Sequence, residues 1–543
     1  MRKRNIQYGA LTLLCAALTV FPAFGASAEA LSKKMTVGGS EQVRAVTYAG
    51  REWIINFWST ETEYAGEDFR QIREDGFNTI ILCVPWREFQ PYLTGGFNEN
   101  AFAKLRKLCE EAGENGLSVM IRLGYTWDYH DNSDLLARYQ RLIYDDVYRD
   151  AWKAYAKKVY ETVSAYDSYA GAFLTWEDFW NFVSTEQDLA GTYVGKKLAK
   201  EMGYMDYVRS RYSYEELFAL YGDGTSASEA GFPAADSPAY RLFLEWYDAW
   251  LMDHLEETQE VYPDLSLECR LDQDPYIPSE GKRAGYDHAA TFPCASASYS
   301  SIMLSAGMGF EEGSVLSAGE TRDMSAALIG RTKAYAGKPV FVDQFLYTET
   351  TPGYETLPKL SEADINIYLA DMGDVFRDTT IGYGIWTYRD YADSLIYNPE
   401  FGLDLKGWTQ YGSVSVKEYD GTKMARLSAG AALMQDLSGR NYLSTERTVI
   451  SFRAVATQPT RITVTVGDTR TVITADRDGV YSAILPKQAL GSLRISADKE
   501  VLLDNIKLYS HITEGMIYNL DGSTGPCIEG IRKLNERMQQ LNR

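Results

Sequence analysis

An alternation of strand-like and helix-like segments between Val43 and Tyr391 constrains the fold of this chain more than any other feature. Short apolar runs predict buried strands, and the segments between them carry apolar residues at helical spacing. Strands that alternate with helices form a parallel sheet, and eight such repeats predict an α/β fold of the (β/α)₈, or TIM, barrel type. The strands are predicted at Trp53–Ser59, Asn78–Pro85, Leu117–Leu123, Gly171–Glu177, Leu265–Leu271, Ala289–Cys294, Pro339–Phe345 and Ile381–Thr387.

The pattern changes after residue 395. Short runs rich in β-branched residues, separated by turn residues, predict an antiparallel β-sandwich of the jelly-roll type. We therefore assign residues 40–395 to the barrel, 397–511 to the sandwich and 512–543 to a C-terminal tail. The apolar residues of a predicted tail helix over 528–541 share one face, so we expect this helix to dock on the barrel.

The N-terminus has the features of a secretory signal peptide. Basic residues at positions 2–4 precede an apolar stretch over 10–21, and small residues near Ala28 suit a cleavage site. No later run is long and apolar enough to cross a membrane. The sequence therefore predicts a secreted, extracellular protein that does not insert into the membrane after cleavage.

Charge and metal-ligand content exclude several classes of function. The chain has 54 basic and 75 acidic residues, a net charge of −21, which disfavours binding to nucleic acid. The cysteines are scattered without zinc spacing, and neither they nor the four histidines predict a metal site or a cofactor. A disulfide framework is not expected.

Aromatic and acidic residues are concentrated where the predicted strands end. The fourth strand ends in Glu177, followed by Asp178, Phe179 and Trp180. The carboxyl ends of barrel strands form the face on which active sites are built, so Glu177 is the main catalytic candidate. Other predicted strand ends carry similar side chains, namely Trp86, Glu88, Trp127, Asp128, Asp272 and Trp386.

With these residues placed, the barrel resembles the large clan of retaining glycoside hydrolases built on this fold. The resemblance implies that Glu177, at the end of strand four, is the acid/base, and that Trp386, at the end of strand eight, is a sugar platform. It also implies a supporting role for Tyr299 or His288 after strand six. It implies further that Trp86, Glu88, Trp127 and Asp128 line the substrate cleft, where we also expect Asp272 to bind substrate. The sandwich resembles jelly-roll carbohydrate-binding modules through its entry motif NPEFGLDLKGW (Asn398–Trp408) and its exit motif LLDNIKLY (Leu502–Tyr509).

The chain departs from the clan at the nucleophile. The clan's seventh strand ends in a pattern like PVFVTEF, whereas this chain has PVFVDQF, which places Gln344 at the glutamate position. Because side chains alternate along a strand, the neighbouring Asp343 would face the helices unless a bulge redirects it. We select Asp343 as the second catalytic carboxyl on adjacency, with Gln344 as a substrate contact. The alternatives are Asp272, Asp274, Glu349 and Asp390.

Two hypotheses of function follow. In the first, the protein is a secreted glycoside hydrolase that acts on a β-linked polysaccharide or oligosaccharide, with Glu177 as proton donor. In the second, it is a non-catalytic glycan-binding protein on a degenerate hydrolase barrel, tied to an exported polysaccharide. The clan resemblance favours the first hypothesis, and Gln344 favours the second.

Overall fold

The computed structural model describes residues 42–60, 65–94, 96–124, 132–174, 189–234, 237–269, 276–277, 282–283, 291–348, 356–437, 447–513 and 515–540. Within these ranges the chain forms a closed parallel barrel, an antiparallel sandwich and a C-terminal helix, which confirms the predicted fold class. The predicted signal peptide lies outside the described residues. Among the described residues, no helix combines the length and the apolar character needed to cross a membrane.

The barrel strands occur in the order β1-β2-β3-β4-β5-β8-β10-β12, and β12 pairs with β1 to close the barrel. Two short hairpin strands and two short paired strands lie outside this path. The first twelve strands are β1 (Val43–Thr47), β2 (Thr79–Val84), β3 (Ser118–Leu123), β4 (Tyr169–Leu174), β5 (Leu265–Cys269), β6 (Tyr276–Ile277), β7 (Lys282–Arg283), β8 (Ser300–Ser305), β9 (Val315–Leu316), β10 (Val340–Leu346), β11 (Lys359–Leu360) and β12 (Gly382–Ile385).

Helices cover the outside of the barrel, and several begin at a side-chain cap. Asn98 accepts a hydrogen bond from the backbone N–H of Ala101, and Ser317 and Ser361 cap two later helices in the same way. The described helices are α1 (Ile54–Phe57), α2 (Ala65–Glu74), α3 (Trp86–Phe89), α4 (Glu99–Glu114), α5 (Asn132–Tyr144), α6 (Asp146–Val163), α7 (Tyr193–Glu201), α8 (Tyr204–Arg211), α9 (Tyr214–Tyr221), α10 (Gly224–Glu229), α11 (Tyr240–Gln259), α12 (Ala318–Ala336), α13 (Glu362–Thr379) and α14 (Ile528–Gln539).

Two of the predicted barrel strands were wrong. The run Trp53–Ser59 contains the short helix α1, and the first strand is the preceding β1, Val43–Thr47. The run Ala289–Cys294 is not the sixth strand, because that place in the barrel belongs to β8, Ser300–Ser305. Both true strands carry polar residues among their apolar ones, so their periodicity is weaker than that of the runs chosen from the sequence.

The sandwich consists of two antiparallel sheets around its own apolar core. One sheet has the order β15-β16-β23-β18-β21, with β13 paired to β23, and the other has the order β14-β17-β22-β19-β20. The strands are β13 (Ala392–Ser394), β14 (Thr409–Tyr411), β15 (Val414–Tyr419), β16 (Thr422–Leu427), β17 (Ala432–Asp436), β18 (Arg447–Val455), β19 (Thr460–Val466), β20 (Thr469–Ala475), β21 (Gly479–Pro486), β22 (Ser492–Ala497) and β23 (Val501–Ile512).

The entry motif of the sandwich folds as a turn held by Asn398. Its side-chain amide donates hydrogen bonds to the carbonyl oxygens of Asp404 and Lys406, at 2.9 and 3.0 Å. The indole N–H of Trp408 donates a hydrogen bond to the backbone oxygen of Asn398 at 3.1 Å. Side-chain amides commonly organise such turns by bonding to nearby backbone groups. The motif is therefore explained by local folding, without reference to a ligand.

The C-terminal helix α14 lies against α13 and the loop that follows α2. Asn535 accepts a hydrogen bond from the Tyr383 hydroxyl at 2.7 Å and donates one to the backbone oxygen of Asp75 at 2.9 Å. Ile531 and Leu534 are fully buried in the same core as the barrel helices. The tail helix thus packs its apolar face on the outside of the barrel.

Candidate active site

The barrel interior has an apolar lower layer and a polar layer above it. The lower layer consists of Val43, Ala45, Ile81, Met120, Phe173, Tyr299, Phe341 and Ile381. Further along the strands toward their carboxyl ends, the inward positions change to Arg122 on β3, Glu268 on β5, and Asp343 and Gln344 on β10. All four of these side chains are buried. The polar layer lies on the side of the barrel where active sites are built.

A bulge in β10 explains how two consecutive residues contribute to this layer. The pairing of β10 with β8 runs in register to Val342 and resumes at Gln344, so Asp343 has no partner in the ladder. The pairing with β12 shifts over the same stretch. A bulge inserts one residue and redirects side chains that strict alternation would place on opposite faces. Asp343 therefore faces the interior charges while Gln344 reaches Arg122.

Arg122 holds the polar layer together. Its guanidinium forms an ion pair with Glu268, with N–O distances of 3.0 and 3.3 Å, and donates a hydrogen bond to Oε1 of Gln344. The side chains of Arg122 and Glu268 are 1% and 0% exposed, so water does not screen their attraction. Burying two charges is costly, and each is tolerated because the other is present. Gln344 is fixed by the same guanidinium and also contacts Met303 Sδ at 3.5 Å.

Asp343 is a buried carboxyl whose pKa lies well above its usual range. Burial is the main cause, and the nearby Glu268 raises the pKa further, while Arg122 lowers it. Ser301 lies close enough to lower the pKa slightly, but among the described residues neither Asp343 oxygen has a hydrogen bond of good geometry. Asp343 therefore holds a proton at pH values where an ordinary aspartate is ionised.

Trp386 follows β12 and borders the polar layer. Its ring centroid lies 5.8 Å from the guanidinium carbon of Arg122, and the Trp53 ring packs against it edge-on at 5.9 Å. The peptide bond after Trp386 is cis. Gly384, two residues earlier, faces the apolar lower layer, since a Cβ there would contact Ile81 and lie 3.6 Å from Cβ of Ala45. The end of strand eight thus carries the aromatic residue expected there, although its side chain is largely buried.

Tyr299 is not where the sequence placed it. It precedes β8 instead of following strand six, and it belongs to the apolar lower layer. Its hydroxyl donates a hydrogen bond to the backbone oxygen of Ala172 at 3.1 Å, and burial raises its pKa. Tyr299 therefore lies below the polar layer. The error follows directly from the misplaced sixth strand.

Trp86 and Glu88 lie on the short helix α3 and are both buried. The Trp86 ring packs against Trp152 and Tyr139, and its N–H donates to Oε1 of Gln90 at 2.7 Å. The structure thus places Trp86 in the core, in contrast to the cleft platform predicted from the sequence. Glu88 is paired with Arg87 at 3.1 Å.

Several predicted site residues lie outside the described residues: Glu177, Asp178, Trp127, Asp128, Asp272, Asp274, His130, His288 and Glu349. Asp390, the alternative at strand eight, is described. It accepts a hydrogen bond from the backbone N–H of Met516 at 3.0 Å, and its own N–H donates to the backbone oxygen of Tyr518. These contacts show that Asp390 anchors the C-terminal tail.

Comparison with known proteins does not assign this chain to a family. No protein-family model matches the chain, and no curated protein matches it. Solved structures with a similar arrangement include the exo-β-1,4-mannosidase Op5Man5 from Opitutaceae bacterium strain TAV5, with 14% identity over 65% of this chain and 52% of that one, and a TM-score of 0.39. A β-galactosidase from the psychrophilic Marinomonas ef1 has 12% identity over 64% of this chain and 54% of that one, and a TM-score of 0.43.

A GH5_18 protein from Bifidobacterium longum subsp. infantis has 15% identity over 64% of this chain and 70% of that one, and a TM-score of 0.39. This chain spans about half the length of the mannosidase that it matches. Identities and scores at this level do not assign an activity. The barrel is established by its own strand pairing.

The sequence analysis missed Arg122 and Glu268. Both had a detectable pattern, because each is a charged residue two positions after an inward-facing residue in an apolar strand, Met120 for Arg122 and Ser266 for Glu268. Chemically, the layer offers a carboxyl that holds a proton, a paired carboxylate and a fixed guanidinium. Within the described ranges, no group of three or more metal-ligating side chains is arranged to hold a metal ion.

Proposed function

We propose that this protein is a secreted glycoside hydrolase that acts on a β-linked polysaccharide or oligosaccharide. Glu177 is the proton donor, and Asp343 is the second carboxyl. The observation that carries the proposal is the bulge in β10, which places both Asp343 and Gln344 in the polar layer of the barrel. Counted from the inward-facing Phe341, regular alternation would bring Asp343 into this layer and turn Gln344 outward, so the bulge is what keeps both residues there.

In this proposal Asp343 activates water, and Arg122 orients the site. An amide at Gln344 cannot attack the anomeric carbon, so a covalent intermediate at that position is excluded. Aspartate is shorter than glutamate, and a wider gap between the carboxyls leaves room for a water molecule, as in inverting glycosidases. Arg122 fixes the Gln344 amide, which then serves as a hydrogen-bonding contact for the substrate.

The role of Asp343 has a consequence for pH dependence. A general base acts in its ionised form, and the pKa of Asp343 is raised by burial. The acidic limb of kcat/KM against pH is therefore expected well above the pKa of about 3.9 of an ordinary aspartate. If the acidic limb has its midpoint at the pKa of an ordinary aspartate, Asp343 is excluded as the general base.

The test measures cleavage and binding on the same panel of β-glucans, mannans and xylans. We expect the wild type to release reducing ends, with inversion at the anomeric carbon, and Glu177→Gln and Asp343→Asn to bind without cleaving. Glu311→Gln is the matched control, because Glu311 is exposed on the loop after β8. Cleavage that survives both of the first two variants would refute the assignment.

A second candidate is a glycan-binding barrel without catalysis. It is favoured by the raised pKa of Asp343, since burial disfavours the ionised carboxylate that catalysis needs, and by the hydrogen bond that Arg122 donates to Gln344. Tight binding with no cleavage by the wild type at any pH would support this function and refute hydrolysis.

A further inference from the structure

One outer face of the sandwich carries three exposed arginines. Arg461 lies on β19, Arg470 on β20 and Arg494 on β22, and all three strands belong to the same sheet. Their neighbours in sequence, such as Ile462 and Ile495, are buried in the sandwich core. Because side chains alternate along a strand, the arginines must point away from the core. We call this surface the arginine face.

The guanidinium groups of the arginine face have no acidic partner among the described residues. Arg494 makes one contact, at 5.9 Å from its guanidinium carbon to the ring centroid of Tyr411, and none of the three forms an ion pair. The opposite sheet differs, since Arg426 pairs with Glu500 at 2.6 Å and Arg453 with Asp478 at 2.9 Å. In a chain of net charge −21, a face of unpaired arginines is not a consequence of composition.

The strand register aligns these groups across the sheet. Arg494 pairs with Thr465, and Thr465 pairs with Arg470, so the two arginines flank a threonine in one row. Since neighbouring strands lie about 4.8 Å apart, the two Cα atoms are separated by about 10 Å.

The adjacent row places Thr463 beside Ser496. No hydrogen bond of the hydroxyls of Thr463, Thr465 or Ser496 is present among the described residues. Two carboxylates lie at the edges of the face: Asp436, whose strand pairs with Ser492, and Asp498, whose Oδ1 accepts a hydrogen bond from the backbone N–H of Arg461 at 2.8 Å.

We propose that the arginine face binds a carboxylated polysaccharide, one that contains uronic acid residues. Guanidinium groups bind carboxylates through two parallel hydrogen bonds, and the free hydroxyls between them match the hydroxyls of the sugar rings. A broad sheet face accommodates an extended polymer. The inference concerns the sandwich and does not rest on catalysis by the barrel.

Nucleic acid fits the same face less well. Proteins that bind single strands combine a positive groove with several aromatic side chains that stack on the bases, and among its described residues this face has one, Tyr411. A uronic acid polymer has both charge and hydroxyl groups, as the face requires.

The experiment titrates the full-length protein with polygalacturonate by calorimetry, with a neutral β-glucan as the comparison polymer. We expect Arg470→Gln/Arg494→Gln to lower the affinity for polygalacturonate by roughly tenfold or more, because two charge-assisted contacts are lost. The control is Lys417→Gln/Arg426→Gln on the opposite sheet, which removes the same charge and should retain wild-type affinity. Binding should weaken as salt rises.

Other results would overturn the proposal. They are an absence of polygalacturonate binding by the wild type, an equal loss in the control variant, and tighter binding of single-stranded DNA or of anionic vesicles than of polygalacturonate. The titration measures binding by the sandwich, whereas the reducing-end assay measures cleavage by the barrel, so a failure of the arginine face is distinguishable from a failure of the proposed hydrolase.

Discussion

Arg122 contributes more to the barrel interior than any other described side chain of the polar layer. It contacts Glu268 from β5 and Gln344 from β10, and its guanidinium lies near the ring of Trp386. Because all of these groups are buried, the arrangement is favourable only when it is complete. Substituting one of these residues should therefore lower the stability of the protein more than substituting two interacting partners together.

The first prediction concerns the ion pair. Arg122→Met and Glu268→Leu should each lower the free energy of unfolding by about 3–5 kcal/mol, because each leaves one buried charge without a partner. The double variant should be more stable than either single variant, since it leaves no unpaired charge. Urea denaturation followed by tryptophan fluorescence measures all three. Arg426→Gln, which breaks an exposed ion pair, is the control and should leave the midpoint unchanged.

The second prediction concerns the pH dependence of stability. Asp343 binds its proton more tightly in the folded state than in the unfolded state, because burial raises its pKa. Between the two pKa values the folded state holds more protons, so the wild type loses stability as pH rises from about 4. Asp343→Asn should remove this loss. Thermal unfolding of the wild type and of Asp343→Asn across a pH series measures this difference. If the melting temperatures of the two proteins change with pH in parallel, the raised pKa of Asp343 is contradicted.

At the scale of elements, the strands that were predicted correctly are the continuous apolar runs. β2 and β10 are buried at every position and β3 at every position after Ser118, and all three are rich in residues with high β propensity. β1 and β8 were missed because they include Arg44 and several serines, whose low strand propensity hides them. The predicted fold class was still correct, because it depends on the overall alternation of strands and helices and not on any single strand.

The site was less predictable than the fold. A bulge is a property of strand pairing, and nothing local in PVFVDQF distinguishes a bulged Asp343 from a regular one. The predicted position of Trp86 was wrong for a similar reason. Whether a tryptophan after a strand packs into the core or lines a cleft depends on helices that come later in the sequence. Trp386 was placed correctly at the end of strand eight.

The third prediction tests the packing of α14 on α13. A Cβ at Gly373 would lie 2.7 Å from the backbone oxygen of Leu534 and 2.9 Å from Cβ of Arg537. Gly373→Ala should therefore separate the two helices and lower stability by about 1–3 kcal/mol, despite its better helix propensity. Gly330→Ala in α12 is the control, because nothing lies within 4 Å of its added Cβ. That variant should gain up to about 1 kcal/mol, and equal effects in both helices would contradict the prediction.

At the scale of the whole molecule, buried polar contacts join the sandwich to the barrel. Lys507 on β23 forms an ion pair with Glu52 from the loop after β1, and the Tyr509 hydroxyl donates to the same carboxylate at 3.4 Å. Burial raises the pKa of Glu52, and Lys507 lowers it. β13 adds backbone pairing to β23 immediately after the barrel ends. These contacts favour a single cooperative unit over two independent domains.

The last prediction follows from this junction. Lys507→Gln leaves the buried Glu52 without its cation, which should cost about 3 kcal/mol and weaken the coupling between barrel and sandwich. Calorimetry should show one unfolding transition for the wild type and two for the variant. Lys417→Gln, an exposed change in the same domain, should keep one transition. Adding Glu52→Gln to Lys507→Gln should recover much of the coupling, because the unpaired charge disappears. If the single variant still unfolds in one step at the wild-type temperature, backbone pairing between β13 and β23 alone is sufficient to couple the two domains.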